Sequence, residues 1–298
     1  MNENAVVIRD LKKSYGRRKA EVLKGLDMTV KKGSVYALLG LNGVGKTTSI
    51  RIMTGQLAPS SGTVLILGLD PFKNAVELKR KLAYVAEDQR LYDWMTLKDL
   101  IKFVRAFYPQ WDEFACERLI KIFSLPDNCK IRDFSRGMYT KAALLTALCR
   151  KPEILILDDP TMGLDTAARR DFMSGLLEAI HEFERTVIFS THIIPEIDGI
   201  ADCAGIMAEG RLAAEGEVEM LKASFRELKM PLEEAAKLPE MKNVLRKRKV
   251  GGELIVTLRA GEDEINNFLS NVGVKHFVIN AMSLENIFLV LTEPAIFI

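Results

Sequence analysis

The stretch SVYALLGLNGVGKTT, residues 34–48, decides the fold. Its first part, SVYALL, is a short apolar run that predicts a fully buried strand. The next residues fit the pattern GxxxxGK[ST], and a helical stretch begins at Lys46 and runs to about Thr54. A strand, a glycine-rich loop and a helix in that order predict a phosphate-binding loop, because glycines let the backbone N–H groups wrap around phosphates at the positive end of a helix.

Two side chains of this loop suit a nucleoside triphosphate and its metal ion. Lys46 is expected to reach the β- and γ-phosphates, and the Thr47 hydroxyl is expected to ligate Mg²⁺. The alternative is a glycine-rich turn that happens to precede a helix, and the buried strand before it argues against that. By itself the motif indicates nucleotide binding and no particular reaction.

A second stretch, ILILDDPTMGLD, places two adjacent carboxylates at the end of another buried strand. Buried negative charge needs a positive partner. Because neighbouring parallel strands end at one edge of a sheet, Asp158 is predicted to lie beside the phosphate loop and to hold Mg²⁺ through water. An aspartate that only caps the next helix is the alternative, and it fits less well because the carboxylate follows ILIL directly.

Composition sets broad bounds on the class of protein. The 298 residues are 48% hydrophobic, which is enough for one large domain or for a large and a small one. A net charge of +2 gives no sign of a polyanionic partner. We expect no secretory signal in MNENAVVIRDLKK and no membrane-spanning run of about 18 apolar residues. The four cysteines lack a CxxC pair and predict buried free thiols: Cys116, Cys129, Cys149 and Cys203.

Apolar strands alternate with helices, which predicts an α/β fold with a parallel sheet covered on both faces. Residues 88–150 are predicted to be mainly helical, with helices beginning at Thr96, Asp112 and Thr140. Beyond about Val218 the pattern shifts to a charged segment, in which the basic run 246–249 is read as a solvated face. The segments GELIVTL, EINNFLSNV, KHFVINA and LENIFLVL then predict a β-α-β-α order. Strands are also predicted at 6–11, 27–30, 63–67, 154–157 and 186–190, and helices at 75–82 and 167–183.

Together these motifs resemble an ATP-binding-cassette (ABC) ATPase, specifically the nucleotide-binding subunit of a bacterial drug or antibiotic exporter. The resemblance covers about residues 5–218 and implies the P-loop NTPase fold of ABC ATPases with an N-terminal antiparallel β subdomain. It implies an ABC ATPase domain at 1–218 with a helical insert at about 88–150. A small α+β accessory domain would follow at 219–298, where SLENIFLVLT resembles the closing helix of such exporter subunits.

Further features fall where the family has them. Tyr15 matches the aromatic residue that stacks on adenine, although a strand-end aromatic can also pack on the core. Glu87 stands where the family usually has a glutamine next to Mg²⁺. His192, in FSTH, matches the histidine that contacts the γ-phosphate, and a histidine satisfied within the core is the alternative. The run Gly163-Leu164-Asp165 resembles the loop that crosses the dimer interface, and Asp165 can also cap the next helix.

The segment Ser135-Arg136-Gly137-Met138 occupies the position of the family's signature and opens a helix whose N-terminus can face an anion. In the family it meets the γ-phosphate held by the other subunit. It departs from LSGGQ at Phe134, Arg136 and Met138, and we interpret Arg136 as tolerated. The resemblance assigns Thr47, Asp158 and Glu87 to Mg²⁺, and Asp159, His192 and Glu87 to catalysis. It assigns these residues to ATP: Tyr15, Gly40, Asn42, Gly43, Val44, Gly45, Lys46, Thr47, Thr48, Ser135 and Gly137.

Asp159 follows the Mg²⁺ aspartate at the position where the family has a water-polarising glutamate. Loss of one methylene draws the carboxylate back by roughly 1 Å, a shift that can lower a rate by about 100-fold when geometry is tight. Phosphoryl transfer depends mostly on positioning and electrostatics, so some catalysis should survive. We favour slow hydrolysis, and an ATP-dependent clamp whose partner site is catalytic stays open as the alternative.

The resemblance also implies partners. One phosphate loop and one signature per chain imply a dimer with a second ABC ATPase subunit, identical or related. A separate transmembrane permease would dock on the helical insert, where WMTLKDLIKFVRAFYPQW is rich in aromatics; those rings could instead form the insert's own core. The chain would then be cytoplasmic, peripheral on the inner face of the cell membrane, with no nucleic acid expected. A soluble ABC-type switch is the competing function.

Overall fold

The computed structural model describes residues 3–16, 20–183, 185–197, 199–239, 241 and 243–293. In chain order the strands are β1 (Asn4–Tyr15), β2 (Ala20–Lys31), β3 (Val35–Gly40), β4 (Ser61–Ile66), β5 (Leu82–Val85), β6 (Ile154–Asp158), β7 (Thr186–Thr191), β8 (Cys203–Ala208), β9 (Arg211–Glu217), β10 (Arg226–Pro231), β11 (Val244–Val250), β12 (Glu253–Leu258) and β13 (Val278–Ala281). The helices are α1 (Lys46–Met53), α2 (Ala75–Lys81), α3 (Leu97–Arg105), α4 (Glu113–Ile122), α5 (Arg136–Leu148), α6 (Thr166–Phe183), α7 (Val218–Ala223), α8 (Leu232–Ala235), α9 (Glu262–Asn271) and α10 (Leu284–Thr292).

The largest sheet has six strands in the order β5-β6-β7-β3-β8-β9. Its strand pairs are parallel except for β8 and β9, which are antiparallel. Both faces of this sheet are buried: Leu155 and Leu157 of β6 belong to one apolar cluster, and Ile154 and Ile156 belong to the other. Two-sided burial explains why the central strands are unbroken apolar runs, and it confirms the predicted covered parallel sheet.

The carboxyl ends of β3, β6 and β7 meet at one edge of this sheet. Leu38 of β3 pairs with Ser190 of β7, and Ser190 pairs in turn with Asp158 of β6. The segments that follow these three strands therefore start side by side. In open α/β sheets, ligands bind outside the carboxyl ends of the strands, so this edge positions the candidate site.

A smaller antiparallel sheet, in the order β2-β1-β4, covers one face of the large sheet. Its inward side chains, among them Ile8, Leu26 and Met28, share a cluster with Leu38 and Ile156 of the large sheet. This confirms the predicted N-terminal antiparallel β subdomain. Strands β1 and β2 are longer than predicted because their antiparallel pairing continues from Lys12–Lys24 to Tyr15–Ala20.

The helical segment between β5 and β6 confirms two of its three predicted helix starts. Thr96 caps α3 through a capping box with Asp99, and the Asp112 side chain accepts from the backbone N–H of Ala115 at 3.0 Å. The start predicted at Thr140 is wrong, because α5 begins at Arg136, which confirms the helix start that the resemblance places at Ser135 to Met138. The Thr140 hydroxyl instead donates to the carbonyl of Arg136 at 3.0 Å, a bond that a threonine inside a helix can make.

The C-terminal region forms a four-stranded antiparallel sheet in the order β11-β12-β10-β13. The predicted β-α-β-α order is confirmed by β12, α9, β13 and α10, whereas β10, α8 and β11 were not predicted. Strand β11 carries the basic run 246–249 on the edge of the sheet, where cations discourage pairing with other chains. Two of these cations are paired, Arg248 with Glu227 at 2.9 Å and Arg246 with Glu293 at 3.3 Å.

Helix α10 does not belong to the small core of that C-terminal sheet. Its buried side chains Leu284, Ile287 and Phe288 lie in the cluster beneath the six-stranded sheet, together with residues of α5, α6 and α7. Leu228, Val256 and Leu269 form the separate core of the four-stranded sheet. The last helix therefore returns to the core beneath the phosphate-loop sheet.

The four cysteines are free thiols, as predicted, but only two of them are buried. Cys116 and Cys149 lie in the core, whereas Cys129 lies in a loop and Cys203 opens a strand, so both are partly exposed. Within the residues that the structure describes, none of the helices combines the length and the apolarity that a membrane span requires.

The packing of α10 generates a stability prediction. Phe288 is 4% exposed and Leu289, its neighbour on the same helix, is 37% exposed. We expect Phe288→Ala to lower the free energy of unfolding by about 3–5 kcal/mol, because it leaves a cavity under the large sheet. The matched control Leu289→Ala should change it by about 0.5 kcal/mol. Urea unfolding curves measure both, and equal losses would show that α10 is not anchored through Phe288.

Candidate functional site

The phosphate loop between β3 and α1 depends on glycine at two positions. A Cβ atom at Gly40 would lie 2.6 Å from Cγ1 of Val44, and one at Gly45 would lie 2.7 Å from Cδ2 of Leu23. Gly45 also has a φ of 117°, which side chains with a Cβ rarely adopt. Close side-chain methyl groups at both positions, and the left-handed φ at Gly45, therefore disfavour larger residues there.

Lys46 opens α1 with its side chain folded back over the loop. Its Nζ donates to the carbonyl oxygen of Gly40 at 2.8 Å and lies 3.6 Å from Oδ2 of Asp159. The side chain is only 4% exposed, so these contacts are what offset the loss of its hydration. An incoming phosphate group would compete with Asp159 for the same ammonium.

Asp158 ends β6 and is fully buried. Its Oδ1 accepts from the Ser190 hydroxyl at 2.7 Å and from the Thr47 hydroxyl at 3.2 Å, and its Oδ2 lies 3.5 Å from the Tyr84 hydroxyl. Burial raises the pKa of the Asp158 carboxyl, and the hydrogen bonds from Ser190 and Thr47 act in the opposite direction. Among the described residues, no cationic side chain forms an ion pair with this carboxylate, which therefore has room for a metal ion as its counter-charge.

Asp159 has different partners. Its Oδ1 lies 3.1 Å from Nδ1 of His192, and its Oδ2 faces Lys46. Its backbone N–H donates to the Ser190 hydroxyl at 2.9 Å and, less directly, to the Ser190 carbonyl at 3.2 Å. The φ of Asp159 is +42°, a left-handed conformation that Asp and Asn adopt more readily than other residues with a Cβ.

Two residues of this site were not predicted to contact the aspartates. The pattern FSTH predicts a role for His192 and none for Ser190, and Tyr84 has no predicted role. Burial, together with the nearby Asp158 charge, raises the pKa of Tyr84, so its phenol keeps its proton and can donate. Strand register could have identified Ser190, because it stands opposite Asp158 on the neighbouring parallel strand.

A cavity of about 300 Å³ joins the phosphate loop, Asp159 and the exposed side chain of Glu87. Met162 also lines it and was not predicted. The lining residues are Asn42, Gly43, Gly45, Lys46, Thr47, Thr48, Glu87, Asp159 and Met162. Most of the residues predicted to surround the triphosphate are thus adjacent in the folded chain.

The donor atoms at this cavity suit Mg²⁺, which takes only some of its ligands from protein, better than a metal ion whose ligands are all protein side chains. Within the described part of the chain, no group of three or more His, Cys, Asp or Glu residues could hold a metal ion. The Thr47 hydroxyl and the Asp158 carboxylate supply hard oxygen atoms. Mg²⁺ usually takes one or two carboxylates and completes its shell with water and substrate phosphates.

The remaining predicted residues lie outside the cavity. Tyr15 is 41% exposed, and its hydroxyl is 3.5 Å from the Thr48 hydroxyl, so its ring is open to a ligand beside the phosphate loop. Ser135 caps α5 by accepting from the N–H of Met138 at 3.2 Å, and neither Ser135 nor Gly137 lines the cavity. Their predicted partner is a second chain.

The Arg136 guanidinium lies over the loop that follows β6. A Cβ atom at Gly163 would stand 2.1 Å from it. Asp165 lies at the end of this loop and caps α6, accepting from the N–H of Ala168 at 2.8 Å, which confirms that part of its predicted role. The charge that replaces the family's glycine is therefore directed at the chain's own loop.

Aromatic side chains of the helical segment line a second concavity, of about 400 Å³. Tyr92, Phe103 and Phe107 form a chain of edge-to-face contacts with ring centroids 5.1 and 5.2 Å apart. Phe107 is 65% exposed. These rings are not the packed core of the segment, which favours a surface for a partner over the alternative of ordinary core packing.

Comparison with known proteins agrees with this geometry. The family model described as "ABC transporter" matches residues 23–162, and one described as "AAA domain, putative AbiEii toxin, Type IV TA system" matches residues 127–198. The "Bacitracin transport ATP-binding protein BcrA" of Bacillus licheniformis is 33% identical over 73% of this chain and 71% of its own length. The "ABC transporter ATP-binding protein YtrB" of Bacillus subtilis (strain 168) is 25% identical over 90% of this chain and 92% of its own. A solved "Structure of ATP binding subunit of ABC transporter" superposes with a TM-score of 0.65 and 28% identity, covering 73% of this chain and 92% of the other.

The glycine requirement generates a binding prediction. We expect Gly45→Ala to displace the loop and to weaken ATP binding at least about tenfold, which corresponds to about 1.4 kcal/mol. Gly68→Ala is the matched control, because Gly68 also has a left-handed φ, of 80°, but has open space around it and lies away from the loop. Titration with a fluorescent ATP analogue measures the affinity. Equal affinity of the two variants would mean that the loop tolerates a Cβ atom at Gly45.

Proposed function

The chain belongs to the ABC transporter family, and we propose that it is a cassette that hydrolyses ATP slowly and drives a separate membrane permease, most simply an exporter. One observation carries this proposal: Lys46, Thr47 and Asp159 line a single cavity, the buried Asp158 carboxylate accepts from Thr47 of that lining, and Asp159 contacts His192. ATP binding is common to the family. The roles of individual residues in hydrolysis, the partners and the direction of transport are our inference.

In this proposal the triphosphate lies on the loop, against Lys46, and adenine stacks on the exposed ring of Tyr15. Asn42, Val44 and Thr48 contribute the remaining contacts of the loop and of the first turn of α1. Mg²⁺ would be held by Thr47 and Asp158, with Glu87 as the third predicted ligand, and when bound it neutralises phosphate charge. The ordered donors on both oxygens of Asp158 support this assignment.

Asp159 is the proposed water-positioning carboxylate, with His192 as its neighbour toward the γ-phosphate. Its oxygens contact Lys46 and His192, so ATP that binds Lys46 would free one carboxylate oxygen for water. The side chain is one methylene shorter than glutamate, which leaves the carboxylate roughly 1 Å short and the reaction slow. The rate of hydrolysis therefore depends on how Asp159 positions the water rather than on its strength as a base.

Phosphate release by the purified chain tests this role. We expect Mg²⁺-dependent release by the wild type, a fall of about 100-fold or more in Asp159→Asn, and a rise in Asp159→Glu, whose carboxylate reaches farther. Titration with a fluorescent ATP analogue should show that all three proteins still bind ATP. Unchanged turnover in Asp159→Asn would remove Asp159 from the reaction.

A wild type that binds ATP but releases no phosphate, beside an active Asp159→Glu, would favour the ATP-dependent clamp. The activity would then lie with a partner cassette. The inward contact of Arg136 with the loop at Gly163 gives that second function some support, because it adds a charge where the signature usually has glycine.

Two chains are proposed to assemble head to tail around two ATP molecules. Ser135 and Gly137 begin α5, and neither lines the chain's own cavity. A helix start with a glycine in its first turn can meet the phosphate held by another subunit. The partner would be a second ABC ATPase subunit, either a copy of this chain or a related one.

The aromatic concavity on the helical segment is the proposed docking site for the permease. Its rim contains Tyr92, Phe103, Phe107 and Tyr108, and the Arg150 guanidinium stands 4.0 Å from the Tyr108 ring centroid. Aromatic residues and arginine are enriched in protein interfaces. The chain would then be held on the cytoplasmic face of the cell membrane through that permease. A soluble ABC-type switch would leave this surface without a membrane partner.

Phe107 offers a direct test of the permease surface. We expect Phe107→Glu to abolish co-purification with a polytopic membrane protein. When native cells are lysed and fractionated, the variant should move from the membrane fraction to the supernatant. The matched control is Phe114→Glu, because Phe114 is 74% exposed and lies outside the concavity. Loss of membrane association in both variants, or in neither, would contradict docking through this surface.

We also propose that residues 1–218 form the ATPase domain, with its helical insert at about 88–150, and that residues 219–298 form an accessory domain. Leu284, Ile287 and Phe288 of α10 lie in the core of the ATPase part, which supports a bracing role for the accessory domain. Its four-stranded sheet has its own small core and could add a regulatory contact.

A further inference from the structure

Ser190 lies between the two aspartates of the site. It is fully buried near the end of β7. Its hydroxyl oxygen is 2.7 Å from Oδ1 of Asp158 and 2.9 Å from the backbone nitrogen of Asp159. A single hydroxyl group therefore links the carboxylate assigned to the metal with the backbone of the residue assigned to the water.

Strand register places Ser190 at this point. Ser190 pairs with Asp158 across the parallel β6–β7 ladder and with Leu38 of β3 on its other side. Residues at matched positions of neighbouring strands point to the same face of a sheet. A serine at this position is short enough to leave its hydroxyl beside Asp158.

The direction of both hydrogen bonds follows from their partners. The Asp159 N–H can only donate, so the Ser190 oxygen accepts from it. The single hydroxyl hydrogen is then directed at the Asp158 carboxylate, which accepts in its ionised form. The hydroxyl thus stabilises the ionised Asp158 that a metal ion requires and holds the backbone of Asp159 at the same time.

We propose that Ser190 is a positioning residue that couples the metal carboxylate Asp158 to the water-positioning residue Asp159. The inference rests on the proposed function, since it takes from there the roles of the two aspartates. Ser190 itself touches neither the nucleotide nor the metal ion in this proposal. It acts through Asp158 and Asp159.

The backbone of Asp159 explains why such a contact is needed. Its left-handed φ of +42° is less stable than the extended or helical regions for a residue with a Cβ. The bond from its N–H to Ser190 favours this conformation, in which the carboxylate reaches His192 and Lys46. Without the hydroxyl, only the longer 3.2 Å bond to the Ser190 carbonyl would hold that N–H.

A purely structural role is the competing explanation, because any buried hydroxyl that loses its partners lowers stability. The two roles differ in their dependence on Mg²⁺. A structural serine would change the melting temperature without changing the metal requirement. A positioning serine would change the metal requirement, since residues behind a metal ligand typically alter metal affinity or activity about 10- to 100-fold.

The experiment compares Ser190→Ala with Ser49→Ala. Ser49 is also fully buried, and its hydroxyl donates to the carbonyl of Lys46 at 2.7 Å without contacting either aspartate. For each protein we would measure nucleotide binding with a fluorescent ATP analogue, first in EDTA and then over a Mg²⁺ titration. Phosphate release over the same titration and the melting temperature complete the set.

We expect the half-saturating Mg²⁺ concentration of Ser190→Ala to rise about tenfold, and its maximal phosphate release to fall about tenfold or more. Binding of the analogue in EDTA should stay within about twofold of the wild type, since the phosphate loop is unchanged. Ser49→Ala should keep the Mg²⁺ dependence of the wild type. Ser190→Thr, which keeps the hydroxyl, should restore most of the metal affinity; if it does not fold, Ser190→Cys should give an intermediate value through its weak S–H donor.

An unchanged Mg²⁺ dependence in a folded Ser190→Ala protein would overturn the inference. So would a rise of the same size in Ser49→Ala. Because the Mg²⁺ dependence of binding is read without turnover, the test also works on a slow or inactive enzyme. Failure of the proposed function would appear elsewhere, as full activity in Asp159→Asn, so the two failures are distinguishable.

Discussion

Burial of two adjacent carboxylates at the end of β6 is the constraint on which the site depends. Asp158 and Asp159 are both removed from water, and each is stabilised in a different way. Asp159 contacts the Lys46 ammonium and His192, whereas Asp158 contacts hydroxyl groups from Thr47 and Ser190. A carboxylate surrounded by neutral donors retains a charge that a divalent cation can meet. The difference between the two sets of partners gives the aspartates different chemistry.

The parallel sheet makes this arrangement possible, because it brings the ends of three strands to one edge. Strand β3 leads into the phosphate loop, β6 ends in the aspartates, and β7 supplies Ser190 and leads to His192. Both faces of the sheet are covered, which excludes water from the base of the site and strengthens each electrostatic contact there. Asp159, with its left-handed backbone, can hold its position at this edge, although its side chain is one methylene shorter than that of glutamate.

The surfaces remote from the cavity show how such a site could be connected to other proteins. Exposed rings on the helical segment form one continuous aromatic surface, while α5 of the same segment begins at the signature residues Ser135 to Met138. Ala143, Thr146 and Ala147 of α5 also line that concavity, so one helix borders the aromatic surface and begins at these signature residues. Helix α10 packs beneath the large sheet, so the C-terminal region is tied to the core of that sheet.

The sequence alone determined the phosphate loop, the sheet class and the presence of Asp158 and Asp159 at the end of a buried strand, because these depend on local patterns of glycine, apolar and charged residues. It did not identify Ser190 or Tyr84 as partners of Asp158. It also did not predict that α10 packs in the core beneath the six-stranded sheet. The apolar spacing put a helix start at Thr140, inside α5, although the resemblance placed one at Ser135 to Met138; the sequence also missed β11, whose charges belong to a sheet edge. Contacts such as Ser190 to Asp158 join residues 32 positions apart. Only tertiary structure decides them, since strand register and packing, not local propensity, bring those side chains together.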